Sequence, residues 1–292
     1  TVVGRGAAPT VTSSPQELVD NIYEAVVNTL GQSNKAVADL LSVGAGVPGM
    51  VDPQSGEVRL AVNLNLQAYP LGSALSDRFG APVALENDVR AASLGAYAWL
   101  SRQMPLHYMA YLSIGTGISA GVVVDGRLYR GAQGMAGEIG HVIFDPHGDP
   151  CACGLHGCLE TISAGPSIAR HWPQGDGTAE AFFAAAEQGD PAARQVIERA
   201  AEGVARAIQL LIMTYDVETV VLGGGVMNAG DAFLKPIHSV LAGMRDESSL
   251  AERMLPAGKV VAAPPDADVA CWGAVLLALQ AFNDPGLRLS GR

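Results

Sequence analysis

The sequence predicts an α/β protein built on parallel sheets, and three observations support this class. Apolar strand-like segments alternate with helix-like segments along the 292 residues. Glycines stand at the ends of several apolar strands, at the carboxyl edge where parallel sheets hold ligands. The length suits two domains, since domains usually run roughly 100–200 residues. We expect an N-terminal α/β domain over 1–102 and a C-terminal α/β domain over 103–269, with the last helix, about 270–292, packing back on the first.

The elements of the first domain follow from caps, apolar spacing and stop signals. Ser14 is a candidate helix cap, Pro15 suits the first turn, and apolar residues recur at helical spacing as far as Leu30. Gly80 ends a later helix. The other strands and helices predicted in this domain are 40–47, 71–79, 82–85 and 89–99.

In the second domain, the pattern of elements changes from residue 107 onwards. Asp125-Gly126 is a hairpin turn signal, and Asp190 is placed to cap a long helix. The predicted strands are 108–114, 121–124, 219–222 and 259–263, and the predicted helices are 160–170, 178–188, 191–214 and 269–282.

Charge and hydropathy exclude several classes of partner. The formal net charge is −11 and only 3 residues are lysine, so the surface repels nucleic-acid phosphates. No uninterrupted apolar run reaches the roughly 18–20 residues of a membrane span. The first residues lack the pattern of a signal peptide. We expect a cytoplasmic protein with neither membrane nor nucleic-acid partners through this part of the chain.

One histidine and three clustered cysteines predict a metal site. The set is His141, Cys151, Cys153 and Cys158. Three thiols within eight residues do not resemble the spread pairs of a disulfide framework, whereas Cys₃His is a closed ligand set for structural zinc. The alternative is a group of reduced thiols without a metal. His147 and His156 are alternative fourth ligands, and spacing alone does not choose between them.

Two glycine-rich turns follow apolar strands. Gly115-Thr116-Gly117 lies between two strands, so it is not the dinucleotide fingerprint, which must open a helix. Such a turn suits backbone amides wrapped around phosphate oxygens. Gly223-Gly224-Gly225 would let a ligand approach the backbone closely. Each motif alone is consistent with a plain tight turn, and their joint presence favours a nucleotide cleft.

Polar residues accompany these turns. Asn87 and Asp88 stand where a strand gives way to a helix, Glu138 is flanked by glycines, and Glu160 follows the cysteines. They suit helix caps and surface charges. They equally suit a sugar site, in which carboxylates bind hydroxyls and one carboxylate removes a proton.

Several motifs together resemble the ROK family of repressors and sugar kinases. They are Glu86-Asn-Asp88, Gly115-Thr-Gly117, Ala136-Gly-Glu-Ile-Gly-His141, Cys151-Ala-Cys-Gly-Leu-His-Gly-Cys158-Leu-Glu160 and Leu222-Gly-Gly-Gly225. The resemblance covers nearly the whole chain. It implies an actin-like, hexokinase-type fold of two ribonuclease H-like α/β halves around a cleft that binds sugar and ATP. It also implies a homodimer or homotetramer.

The resemblance also implies residue roles. Asp88 resembles the catalytic base that deprotonates the sugar hydroxyl. Gly46 and Gly49 would shape the sugar pocket, and Mg²⁺ would bridge the phosphates of ATP. The sugar-binding set would be Asn87, Asp88, Glu138, His141 and Glu160. Gly115, Thr116 and Gly117 resemble the second phosphate loop, and Gly223, Gly224 and Gly225 the turn beside adenosine.

The sequence departs from the kinase pattern in two places. The first phosphate loop of the family, Asp-x-Gly-Gly-Thr, does not occur in it, so we expect part of the N-terminal domain to precede Thr1. Ser119 stands where kinases often have glycine. The favoured function is an ATP-dependent kinase of a hexose such as glucose. The alternatives are a sugar-responsive transcriptional regulator whose DNA-binding region lies upstream, and a sugar-binding protein with neither activity.

Overall fold

The computed structural model describes residues 2–172 and 179–283, whose contacts group into two compact units. The first unit draws on residues 1–95, 131–135 and 268–292, and the second on 96–130 and 136–267. The first boundary, after Gly95, falls inside the helix Asp88–Leu100.

The first unit opens with helix α1, whose start agrees with the prediction. The Ser14 hydroxyl accepts a hydrogen bond from the backbone N–H of Glu17 at 3.2 Å, and Pro15 occupies the first helical position. Leu18 and Val19 are buried in the core of this unit. The elements are α1 (Pro15–Gly31), β1 (Val43–Val47), β2 (Met50–Asp52), β3 (Glu57–Ala61), β4 (Leu66–Tyr69), α2 (Leu71–Phe79), β5 (Val83–Asn87) and α3 (Asp88–Leu100).

Two small sheets organise these strands. Strand β1 pairs in parallel with β5, in a register that sets Gly46 beside Glu86 and Val47 beside Asn87. Strands β2, β3 and β4 form an antiparallel sheet. Because β1 and β5 are parallel, their carboxyl ends lie side by side, and the residues after both strands become neighbours.

The last helix, α10 (Val269–Asn283), packs in the first unit through glycines. A Cβ on Gly44 of β1 would lie 1.7 Å from the Ala274 carbonyl oxygen, and one on Gly273 would lie 1.7 Å from that of Ala91. The helix therefore lies directly on the backbones of β1 and α3. Although α10 is strongly apolar, none of the helices in the described ranges combines the length and hydropathy that crossing a bilayer requires.

The second unit is a five-stranded mixed sheet covered by helices. Its strand order is β10-β9-β6-β7-β8, parallel from β10 to β6 and antiparallel from β6 to β8. Its elements are β6 (Tyr108–Ile114), β7 (Ile118–Val124), β8 (Arg127–Tyr129), α4 (Glu160–Ser163), α5 (Gly165–His171), α6 (Ala179–Glu187), α7 (Pro191–Tyr215), β9 (Thr219–Gly223), α8 (Asp231–Glu247), α9 (Ser249–Met254) and β10 (Val260–Ala262).

Helix α7 supplies much of the apolar core of this unit. The Asp190 carboxylate caps it by accepting hydrogen bonds from the N–H groups of Ala192 at 2.8 Å and Ala193 at 3.2 Å. Residues such as Ile208 and Ile212 are fully buried in the core cluster of this unit. The predicted cap and helix are therefore confirmed.

The structure corrects several predicted elements. The sheet of the second unit is mixed rather than parallel, because the Gly115-Thr116-Gly117 turn returns β7 antiparallel to β6 and the Asp125-Gly126 turn returns β8 antiparallel to β7. The predicted helix 160–170 is two helices, since Ala164, two residues before Pro166, has extended backbone. The antiparallel sheet of the first unit and the helices α8 and α9 were not predicted. The predicted helix start at Thr178 and the predicted end of the last helix, 284–292, lie outside the described residues.

Candidate functional site

The junction between β5 and α3 presents Asp88 in the first unit. The Asn87 side-chain oxygen caps the helix, accepting from the N–H groups of Val89 and Arg90, both at 3.1 Å. Its Nδ2 donates to the Gly49 carbonyl at 3.1 Å. Only one amide hydrogen of Asn87 is thus left for a ligand. Asp88, which was also a candidate cap, leaves that role to Asn87, and its Oδ1 accepts from the Val89 N–H at 2.9 Å.

Two glycines, Gly46 in β1 and Gly49 just after it, bring the backbone close to this junction. A Cβ on Gly46 would lie 3.2 Å from the Asp88 Cα. Gly49 has φ +96°, and a Cβ there would meet the Leu60 carbonyl oxygen at 2.3 Å. Gly49 therefore requires glycine, and any side chain at Gly46 would press against the backbone of Asp88.

In the second unit, the two predicted glycine turns end neighbouring parallel strands. Gly115-Thr116-Gly117 follows β6, and Gly223-Gly224-Gly225 ends and follows β9. A Cβ on Gly115 would lie 3.8 Å from the Gly225 nitrogen, so the two turns are in contact. Across the described residues, the N–H groups of Thr116 and Gly117 donate no hydrogen bond within the protein. Two successive free amides form a concave site for an anion.

Glu138 and His141 project from one 3₁₀ turn. Glu138 precedes the turn Ile139–His141, and residues three apart in a 3₁₀ helix lie on the same face. The turn packs directly on β7, because a Cβ on Gly137 would lie 1.8 Å from the Ala120 carbonyl oxygen. Ser119 of β7 adds a hydrogen bond from its hydroxyl to the Gly137 carbonyl at 3.2 Å. The serine in place of the usual glycine thus helps to hold this turn.

Glu160 contacts the first glycine turn. Its Oε2 accepts a hydrogen bond from the Ile118 N–H at 3.0 Å. A Cβ on Gly117 would lie 2.5 Å from the same oxygen, so glycine is needed for this approach. Glu160 also begins α4, immediately after Cys158. One carboxylate therefore joins the glycine turn to the cysteine-bearing loop.

The histidine and the three cysteines converge. The ligand atoms of His141, Cys151, Cys153 and Cys158 all lie within 4.8 Å of one another. His141 Nδ1 is 3.6 Å from Cys151 Sγ, and Cys153 Sγ is 3.6 Å from Cys158 Sγ. A tetrahedral site with Zn–S bonds of 2.3 Å has ligand–ligand edges of about 3.8 Å. The donor set and its spacing therefore fit zinc, and among the described residues the group includes neither His147 nor His156.

The thiols of this cluster differ in acidity. Burial raises the pKa of Cys158 to about 12. The backbone N–H of Leu155 donates to Cys153 and lowers the pKa of that exposed thiol. A cation at the centre of the cluster would stabilise the deprotonated form of this buried thiol.

The predicted site residues are thus divided between the units. Gly46, Gly49, Asn87 and Asp88 lie in the first, and the other predicted residues lie in the second. Sequence reasoning missed a buried ion pair beside Asp88, in which Arg90 Nε donates to Glu86 Oε1 at 2.8 Å. A charged pair four residues apart was the available signal, although that spacing usually marks an exposed helix face.

Known proteins are similar to this chain in sequence and fold. Residues 7–281 match the ROK family. The chain belongs to the ROK family. A glucokinase of Halalkalibacterium halodurans is 34% identical over 238 residues, covering 75% of this chain and 72% of the glucokinase. A xylose repressor of Caldicellulosiruptor bescii is 29% identical over 242 residues, covering 77% of this chain and 60% of the repressor.

A solved ROK structure gives the fold. The ROK family glucokinase of Streptomyces griseus, in complex with glucose and AMPPNP, has a TM-score of 0.74 at 29% identity, covering 94% of this chain and 90% of that one. The chain therefore has the actin-like α/β fold of the ROK hexokinases.

Proposed function

We propose that this ROK chain belongs to an ATP-dependent kinase that phosphorylates a hexose such as glucose. The position of Asp88 is the observation that best supports the proposal. Its carboxylate stands at the carboxyl end of β5, and Asn87 performs the helix capping that would otherwise occupy it. Asp88 is then available to take the proton of the attacking hydroxyl as the hydroxyl oxygen bonds to the γ-phosphorus and ADP leaves.

The sugar is held by carboxylates and one imidazole. Glu138 and His141 share one face of a 3₁₀ turn, which suits hydrogen bonds to adjacent hydroxyls. His141 directs Nδ1 towards Cys151, so Nε2 is the nitrogen left for a hydroxyl. Glu160 and the remaining amide hydrogen of Asn87 complete the set.

The nucleotide lies against the two glycine turns. The free N–H groups of Thr116 and Gly117 bind phosphate oxygens, and the open backbone at Gly225, with nothing within 4 Å of a Cβ there, leaves room beside the adenosine. Mg²⁺, when bound with ATP, neutralises phosphate charge. The relative with glucose and AMPPNP bound supports this pairing of ligands.

Zinc has a structural role in this proposal. His141, Cys151, Cys153 and Cys158 supply four ligands, which leave no position for substrate water. The metal fixes the loop between Glu138 and Glu160, so replacing Cys153 with Ser weakens sugar binding without touching the sugar. Zinc content and sugar affinity of the Cys153→Ser protein check this together. Unchanged sugar affinity in a zinc-free variant would refute it. A cytoplasmic location, where thiols stay reduced, agrees with the cluster.

The deciding experiment measures ADP release by the full-length protein with ATP and a panel of hexoses and N-acetylated amino sugars. We expect activity on at least one sugar, and a loss of about 10²- to 10⁴-fold in kcat for Asp88→Asn, with sugar affinity largely kept. Absence of activity across the panel, in a protein that binds zinc, would overturn the proposal.

A second candidate is a sugar-responsive transcriptional regulator. The similarity to a xylose repressor, of which this chain spans only 60%, favours it specifically. The coding sequence upstream of Thr1 separates the two. An Asp-x-Gly-Gly-Thr motif close to the start supports the kinase, and a helix-turn-helix supports the regulator.

A further inference from the structure

A buried ion pair lies beneath the turn that presents Asp88. Glu86, the last but one residue of β5, is fully buried, and Arg90 in the first turn of α3 is only 3% exposed. Arg90 Nε donates to Glu86 Oε1 at 2.8 Å, and the Asn87 N–H donates to the same oxygen at 2.9 Å. One carboxylate oxygen thus holds both the residue before Asp88 and the residue two positions after it.

Burying this pair is costly. Two ions removed from water lose several kcal/mol of hydration each, and a hydrophobic pair of similar volume is often as stable. Stability alone is therefore a weak reason for Glu86 and Arg90 to be buried in this place. Buried ionic groups are better known for fixing one arrangement among several.

The arrangement fixed here is the backbone on either side of Asp88. The pair links the end of β5 to the first turn of α3, and Asn87 and Asp88 lie between its two members. The Asp88 carboxylate accepts a hydrogen bond from the adjacent N–H of Val89, so its direction follows the backbone. A change in this turn therefore moves the carboxylate.

We propose that Glu86 and Arg90 are positioning residues that set the place and direction of the Asp88 carboxylate. The inference rests on the proposed kinase function, because it assigns the pair to the step in which Asp88 takes a proton. Misplacing a reacting group by about 1 Å costs about 100-fold in rate, so loss of the pair should reduce kcat strongly.

The main test uses Arg90→Lys, which keeps the charge but replaces the planar guanidinium with a single ammonium. In the full-length protein we expect kcat to fall by about 10- to 100-fold while KM for ATP stays within about twofold. Ser93→Ala is the matched control. Ser93 is also fully buried in α3, but its hydroxyl donates to the Val89 carbonyl at 2.7 Å instead of to the pair.

A purely structural pair predicts a different outcome. Arg90→Lys and Ser93→Ala would then both lower the melting temperature, and kcat of the folded fraction would be the same in both. Equal kcat in the two folded variants overturns the positioning role. Glu86→Gln provides the second variant if Arg90→Lys does not fold, because glutamine keeps an oxygen that accepts from the Asn87 N–H.

Amide hydrogen exchange tests the positioning role independently of the kinase proposal. We expect the amide of Val89 to exchange at least about tenfold faster in Arg90→Lys and Glu86→Gln than in Ser93→Ala, and the amide of Asn87 to do so in Arg90→Lys. A wild-type protein inactive on every sugar counts against the kinase. Exchange at these amides no faster than in the control counts against the positioning role, whatever the activity.

Discussion

Replacing Gly157 with Ala should greatly weaken zinc binding at the histidine–cysteine site, whereas the same change at Gly154 should have little effect on it. Both glycines lie in the cysteine loop with positive φ, +67° and +92°, so each substitution strains the backbone by about 1–2 kcal/mol. The surroundings differ. A Cβ on Gly154 meets nothing within 4 Å, whereas one on Gly157 would lie 1.5 Å from the Asp145 carbonyl oxygen.

The additional cost at Gly157 follows from this contact. Reaching ordinary contact at 3.4 Å requires a shift of 3.4 − 1.5 = 1.9 Å. Three backbone hydrogen bonds depend on Gly157 staying in place: its carbonyl accepts from Phe144 and Asp145, and its N–H donates to Asp149. At about 1 kcal/mol each they are worth about 3 kcal/mol, or about 100-fold in an equilibrium constant. Cys158 is the next residue, and zinc tolerates displacements of only about 0.2 Å.

The assay is zinc affinity measured by competition with a chromophoric chelator under reducing conditions. We expect Gly157→Ala to bind zinc at least about 100-fold more weakly than the wild type, and Gly154→Ala to stay within about tenfold. Circular dichroism confirms that both variants are folded. Zinc affinities of the two variants within about threefold of each other would refute the reasoning from the close approach to Asp145.

Two further predictions concern stability. Asp125 hydrogen-bonds His107 and raises its pKa above 6.5; the stabilisation is therefore complete below pH 6.5 and is lost as the pH rises through the raised pKa. Denaturant unfolding of the wild type and His107→Gln across pH 5–9 checks this, and parallel pH curves would contradict it. Gly273→Ala would place a Cβ 1.7 Å from the Ala91 carbonyl oxygen and should lower the melting temperature. In contrast, the Cβ of Gly243→Ala in α8 meets nothing within 4 Å, so this change should raise the free energy of unfolding by about 0.5–1 kcal/mol. Calorimetry of both variants tests this pair, and equal shifts would contradict it.

The sequence predicted best those elements that local signals define. Helix α2 and strand β6 have the predicted bounds, since Gly80 ends the first and an unbroken apolar run defines the second. The three-stranded sheet of the first unit was missed because its strands have only three to five residues, separated by turn residues. Helix α8 was missed because Pro236 lies inside it and obscures the helical pattern.

The candidate site was predictable where spacing in sequence controls chemistry. The three cysteines indicated a metal site, and the predicted fourth ligand, His141, joins them in the structure, although spacing alone had left His147 and His156 as alternatives. The sequence also could not show that Asn87 caps α3 and Asp88 does not, because both residue types cap helices. Burial of Arg90 depends on tertiary packing, which periodicity does not report.

The short separation of two sulfur atoms has a consequence for redox chemistry. Cys153 Sγ and Cys158 Sγ lie 3.6 Å apart, and Cys153 is exposed to solvent. Without a metal, an oxidant such as dioxygen can take two electrons from this pair, releasing two protons and closing a disulfide about 2.05 Å long. A crosslinked loop has two fewer thiolates for zinc, so air oxidation after chelation would trap the protein in a form that metal alone does not restore. Preparations that regain zinc only after treatment with a reductant would carry this signature.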